Sequence, residues 1–216
     1  MNLRSAVIAA MLASVALAGC KTEGDIVINQ GVGITALRSV CPAVGIPEYT
    51  GDVTFFSPVG GTTVDDIDVT AVMTNVRSQC DDAGDEVYST ATFEVQGVRH
   101  DTAGERAVEI PYFSTVMRGG SSVVAKRIGT VTLYFADGQS RASGLGQAGA
   151  VIDKSEATLP ADIRERITRR RRAGDEDAAI DPLTEPDVRA AVARATFELL
   201  VGFQLTDDQL RYNATR

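Results

Sequence analysis

A single histidine, His100, stands in 216 residues. One imidazole cannot assemble a zinc site alone, and a Ser-His-Asp type of centre would need a nucleophile brought to it by the fold. No Gly-x-Ser-x-Gly elbow occurs, and His100 lies beside Asp101 at a turn, where a solvent-exposed imidazole is expected. The three cysteines include no Cys-x-x-Cys pair, which leaves redox exchange and zinc ribbons without support. Gly31-Val32-Gly33 is too short for a dinucleotide loop, and the required strand–helix unit is missing. There is no internal repeat, no low-complexity tail and no run of the roughly 20 apolar residues that span a bilayer. With no catalytic or cofactor motif present, the expectation is a non-enzyme without a cofactor.

Bases are outnumbered by acids, 21 Lys+Arg against 29 Asp+Glu, for a net charge of −8. Nucleic-acid binding needs clustered cations against phosphate, so no nucleic-acid partner is expected. Repulsion from anionic lipid follows from the same balance. The chain is 44% hydrophobic and 23% charged, enough apolar material for a sizeable core. Its length suits one domain with an appendage, or two small domains.

The N-terminus carries the most specific signal. A single Arg4 precedes an uncharged apolar run from Ala6 to Leu17, which closes on Leu17-Ala18-Gly19-Cys20. A short positive region, an apolar stretch and small residues at a cleavage point form a secretory signal. The ending resembles the lipobox of bacterial lipoproteins. That resemblance covers residues 1–20 and implies a diacylglycerol on the Cys20 thiol, cleavage before Cys20 and an acylated new amine. Residues 1–19 would be the signal peptide and 20–25 a lipidated tether. Cleavage removes only Arg4 among charged residues, leaving 20 basic against 29 acidic and a charge of −9. Two or three acyl chains give stable attachment where one does not. In enterobacterial lipoproteins an Asp after the anchor cysteine favours the inner membrane. Lys21 stands there, so the resemblance implies the outer membrane, with the body facing the periplasm.

Assigning Cys20 to lipid leaves Cys41 and Cys80. An even remainder in an oxidising compartment suggests one disulfide, with two buried thiols as the alternative. Closing a loop of about 40 residues would stabilise by ~3–4 kcal/mol in the chain-entropy model.

Ile26-Val27-Ile28 and Ile34-Thr35-Ala36-Leu37 are candidate strands, and Val53-Thr54-Phe55-Phe56 is another, ended by Pro58 and Gly60-Gly61. A two-residue period then runs through Ile67, Val69, Ala71 and Met73, and through Ala91, Phe93 and Val95. Asp81 to Gly84 marks an acidic turn, Asp101 to Gly104 a hairpin loop and Asp137-Gly138 a tight turn. Pro111 argues for an edge strand or bulge. Val123 to Phe135 is a long strand with Val131, Leu133 and Phe135 on one face. The return strand, Ser140 to Ile152, carries Gly144, Gly146 and Gly149, which suit close backbone approach. About seven short strands predict a mainly β fold over 26–155: an antiparallel two-layer β-sandwich, immunoglobulin/fibronectin-like in style. A barrel is the main alternative, but outward positions rich in Asp, Glu, Gln and Lys do not suit a lipid-facing wall.

Residues 156–216 are expected to form an α-helical C-terminal segment packing on the sandwich. Ile163 and Ile167 sit four apart, in a helix that should run into Arg169-Arg170-Arg171-Arg172 and end near Gly174. Val188, Ala191, Val192, Ala195 and Leu199 recur at helical spacing, and Thr206 is placed to cap a final short helix.

Two surface features remain. The carboxylates Asp65, Asp66 and Asp68, and Asp81, Asp82, Asp85 and Glu86, could offer oxygens to calcium, but neither group has the twelve-residue loop spacing. Asp81, Asp82 and Asp85 are the weak metal candidates, with solvated turn charge as the competing reading. Arg169, Arg170, Arg171 and Arg172 could meet phosphate or an acidic partner, though Asp175, Glu176 and Asp177 would partly neutralise them. The leading expectation is a lipid-anchored envelope protein that acts as a structural or accessory subunit with an envelope protein partner. The alternative is a small-ligand or calcium-binding lipoprotein, and an envelope hydrolase has only the compartment in its favour.

Overall fold

The computed structural model describes residues 39–216, apart from 62 and 173. The candidate strands at 26–28 and 34–37, and Cys20 itself, lie outside the described residues. Residues 39–169 and 180–216 belong to one compact unit, and residues 170–179 segregate from it and are treated by themselves below.

The chain forms β1 (Ala43–Gly45), β2 (Asp52–Phe56), β3 (Ile67–Asp81), β4 (Glu86–Arg99), β5 (Arg106–Arg118), β6 (Ser122–Phe135) and β7 (Arg141–Asp153). Three helices follow: α1 (Lys154–Ala157), α2 (Ala161–Thr168) and α3 (Pro186–Ala195). Strand β8 (Phe197–Phe203) and helix α4 (Asp207–Thr215) close the chain. The fold is mainly β. Its strands make two four-stranded sheets, ordered β1-β8-β5-β6 and β2-β3-β4-β7.

Alternation builds the shared core. Val69, Ala71 and Met73 of β3 and Val87, Ala91, Phe93 and Val95 of β4 turn one way. They meet Ile110, Val131, Leu133 and Phe135 from the other sheet. The β strands are longer than the sequence suggests: β3 to β7 run 13 to 15 residues each. The glycines of β7 act partly as expected. A Cβ at Gly144 would lie 2.6 Å from a Val131 methyl, and one at Gly146 would strike the Phe93 ring, whereas Gly149 has ordinary room. Tyr112 of β5 packs edge-on against Phe93 and donates its hydroxyl to the Gln147 carbonyl on the β7 edge, 2.7 Å away.

Several expectations change. Asp101 to Gly104 is not a hairpin loop, because β4 and β5 lie in different sheets. The tight turn at Asp137-Gly138 forms, with Gly138 at φ 73°, but it too carries the chain from one sheet to the other. Pro111 lies in an inner strand, not an edge strand. Its carbonyl accepts from Gln204 N, so its missing N–H faces the same side, just past the end of β8 at Phe203, where only the last bond of that ladder is forgone. Among the described residues, the strand order also differs from the ABED/CFG arrangement of immunoglobulin constant domains, since β2, β3 and β4 are consecutive neighbours.

The largest correction concerns residues 156–216, which are not wholly helical. Phe197, Leu199, Val201 and Phe203 are buried at a period of two, and β8 is inserted between β1 and β5. Leu199, assigned to a helix by its spacing from Ala195, is a core strand residue. Helix α3 stops at Ala195, where Thr196 turns extended and its hydroxyl donates to the Val192 carbonyl, 2.7 Å away. The helices α2 and α3 have a small core of their own, Ile163, Ile167, Val188 and Ala191, clasped by Arg166, which pairs with Glu185 and Asp187.

The Cys41–Cys80 disulfide is present, with Cα atoms 6.1 Å apart. It ties the segment entering β1 to the end of β3.

Candidate interaction face

Residues of β2, β3, β4 and β7 that point away from the core form cross-strand rows. One row is Thr54, Thr70, Val98 and Arg141, and the next is Asp52, Val72, Gln96 and Ser143. Thr74, Glu94 and Leu145 follow. The first two rows and Glu94 line a concavity of about 530 Å³. Arg216, just past α4, lines its β2 side, and the end of the chain is fixed there in three ways. Gln209 donates to the Thr54 carbonyl at 3.5 Å. The Asn213 amide donates to the carbonyls of Tyr49 and Asp52, 2.8 Å each. Arg216 pairs with Asp52. Thr206 caps the helix through Gln209 N. Asn213 is buried.

The floor of this face mixes apolar and polar groups. Val72 and Val98 are partly exposed and Leu145 is 84% exposed. Arg141 has no carboxylate partner among the described residues, and Gln96 donates weakly to Glu94 at 3.4 Å. Exposed aliphatic side chains inside a polar rim are the composition of a protein contact surface. The sequence signalled this face only as the polar half of each alternating strand. It could not show which of those residues fall in one row, because register is not written locally.

The candidates named from sequence are placed as follows. Asp81 closes β3, and its carboxylate accepts from Ala83 N at 3.0 Å. Asp82 and Asp85 are exposed on the turn, and their carbonyls, not their carboxylates, are held by the Lys154 Nζ and N. Among the described residues no three His, Cys, Asp or Glu side chains are grouped to hold a metal. The calcium reading of Asp81, Asp82 and Asp85 therefore finds no converging ligand set. Asp65 and Asp66 lie in a short 3-10 turn whose N-cap is Thr63, and the Asp66 carboxylate accepts from Thr63 N at 3.1 Å. Asp68 instead bridges the sheets, with both carboxylate oxygens accepting from Arg106 at 2.7 and 2.6 Å. Hydrogen bonds from Arg106, aided by its charge and opposed by partial burial, hold the Asp68 carboxyl below the usual carboxylate range.

The arginine run does not end a helix. Helix α2 stops at Thr168, whose hydroxyl bonds back to the Arg164 carbonyl at 2.8 Å, and Arg169 is its extended C-cap. In residues 170–179, Arg171 is buried and meets Asp177 at 3.3 Å, while Arg172 N donates to Asp175 at 2.8 Å. Arg171 thus has an internal partner within residues 170–179, while Arg169 belongs to the larger unit. His100 is exposed, and only its backbone N–H is engaged, by the Asp68 carbonyl. No helix among the described residues is long and apolar enough to cross a membrane.

Comparison with protein-family models, with curated proteins and with solved structures gives no match for this chain.

Proposed function

We propose that this chain is a lipid-anchored, non-enzymatic protein of a bacterial cell envelope, serving as a structural or accessory subunit of an envelope assembly. The observation that carries the reading is Leu17-Ala18-Gly19-Cys20 at the end of an apolar run. The Cys41–Cys80 disulfide supports it, since such bonds persist in oxidising compartments. Lys21, in place of an aspartate, favours the outer membrane, with the body held in the periplasm by the acyl chains rather than by charge. The two sheets serve as a sandwich of immunoglobulin/fibronectin style with a strand order of its own, and its outer β2-β3-β4-β7 face is the seat for a protein partner.

A photo-crosslinking side chain at Val98, introduced in intact cells, tests the partner seat. The expected result is one discrete adduct with an envelope protein, absent when the same group replaces Tyr134 on the opposite sheet. If Val98 and Tyr134 give the same diffuse pattern or none, the accessory role on this face is lost.

A further inference from the structure

We propose that the partner enters the concavity with an extended segment whose acidic and basic side chains stand four residues apart, with an aliphatic one midway. This rests on the reading of that face as a protein seat and names the chemistry the seat accepts. Four charged residues line the concavity: Asp52, Glu94, Arg141 and Arg216. Asp52 and Arg216 pair with each other. Glu94 and Arg141 meet no group of opposite charge among the described residues. The Glu94 carboxylate accepts only the weak bond from Gln96, at 3.4 Å.

The charges flanking this pair on β3 are engaged elsewhere. Arg77, one row beyond Glu94, donates its Nε to Asn75 at 2.9 Å and does not line the concavity. Asp68, two residues before Thr70, is held by Arg106 through both carboxylate oxygens. The concavity therefore has one open anionic end, at Glu94, and one open cationic end, at Arg141.

Register sets their separation. Glu94 lies opposite Leu145 of β7, four residues along from Arg141, which puts the two backbones about 14 Å apart. Between them runs the row of Val72, Gln96 and Ser143, and Val72 is 46% exposed. In an extended segment, residues i, i+2 and i+4 face one way, and i to i+4 spans about 13 Å. An acidic side chain at one end meets the planar Arg141 fork. A basic one at the other end meets Glu94, and the aliphatic one midway lands on Val72. Opposite charges at a fixed spacing set the register and disfavour segments of one sign. Each pair alone is weak at a half-open site, so selectivity comes from engaging both.

Ligand-observed NMR titration of the full chain in excess non-ionic detergent micelles tests this. The probes are the peptide acetyl-Glu-Thr-Val-Thr-Lys-amide and its like-charged forms, with Glu or Lys at both ends. The mixed-charge peptide should bind about fivefold or more tighter than either like-charged one. E94R and R141E should each weaken it by a similar factor. E94R/R141E should regain it, because a free peptide can lie in the opposite direction. Equal binding of all the peptides, binding of none, single reversals that behave as the wild type, or a double reversal that stays weak would each overturn the proposal. Unchanged thermal unfolding of the variants separates lost binding from lost fold. The Val98 crosslink in intact cells keeps this result apart from the seat itself. Its adduct should disappear in E94R/R141E, since a folded partner cannot turn around. An adduct that survives the double reversal leaves the seat standing and overturns the charge pairing, whereas a wild type without an adduct removes the seat and the pairing with it.

Discussion

Arg99 ends β4 with almost none of its surface in water, and its partners are carbonyl oxygens, not a carboxylate. Its guanidinium donates to Gln139, Thr102 and Ala136, each at 2.8 Å, and lies 5.4 Å from the centre of the Phe135 ring. These carbonyls belong to the β4–β5 and β6–β7 connections, so one planar fork stitches both sheet-to-sheet crossings. Replacing it removes all three bonds at once, although the Thr102 and Ala136 carbonyls keep Gly138 N and Gln139 N as donors. Arg99→Met should cost about 3 kcal/mol or more, read as a lower urea midpoint, and Arg99→Lys should recover only part because an ammonium lacks the fork. Asp68 works beside it by joining β3 to Arg106 of β5. Its carboxyl is held below its unfolded value, so its contribution is present at neutral pH and is lost as pH falls through the carboxylate range toward the lowered folded value. Asp187, held down chiefly by hydrogen bonding from Arg166, changes stability in the same direction. Denaturant titrations between about pH 7 and about pH 3 should therefore show a shallower acid loss for Asp68→Asn than for the wild type.

At the scale of elements, the period-two signal of β3, β4 and β6 was legible because each has one buried and one exposed face. Strand β8 was not, although Phe197, Leu199, Val201 and Phe203 alternate cleanly. Helical spacing from Val188 through Ala195 extends by chance to Leu199, and short apolar runs do not announce which period governs them. The two turns at Asp101–Gly104 and Asp137-Gly138 were legible as turns. Their destination was not, since a turn residue fixes local φ and ψ and says nothing about which sheet receives the next strand. Likewise the candidate interaction face was visible only as scattered polar positions until register aligned Thr54, Thr70, Val98 and Arg141. The Cys41–Cys80 bond was legible by counting. It closes a sequence separation of 39, and opening it with a C41S/C80S pair should lower stability by about 4 kcal/mol in the chain-entropy model, measured by urea unfolding. Reductant should move the wild type to the same midpoint and leave the variant unmoved.

For the whole molecule, the excess of acids makes charge a poor means of holding the body to an anionic surface. The proposed acyl anchor would supply apolar attachment to a body whose shared core and α2–α3 cluster hold most of its buried apolar groups. The same charge excess makes copies repel on average. The proposed partner seat would take its meaning from a body held at one surface, where two-dimensional confinement raises its effective concentration.

The most direct measurement is the intact mass of the membrane-extracted protein, taken with the membrane partitioning of Cys20→Ser. The account predicts a chain beginning at Cys20 with added diacylglycerol and acyl mass, and a variant that loses that mass and leaves the membrane fraction. An unmodified Cys20, with a variant that partitions as the wild type does, would contradict it.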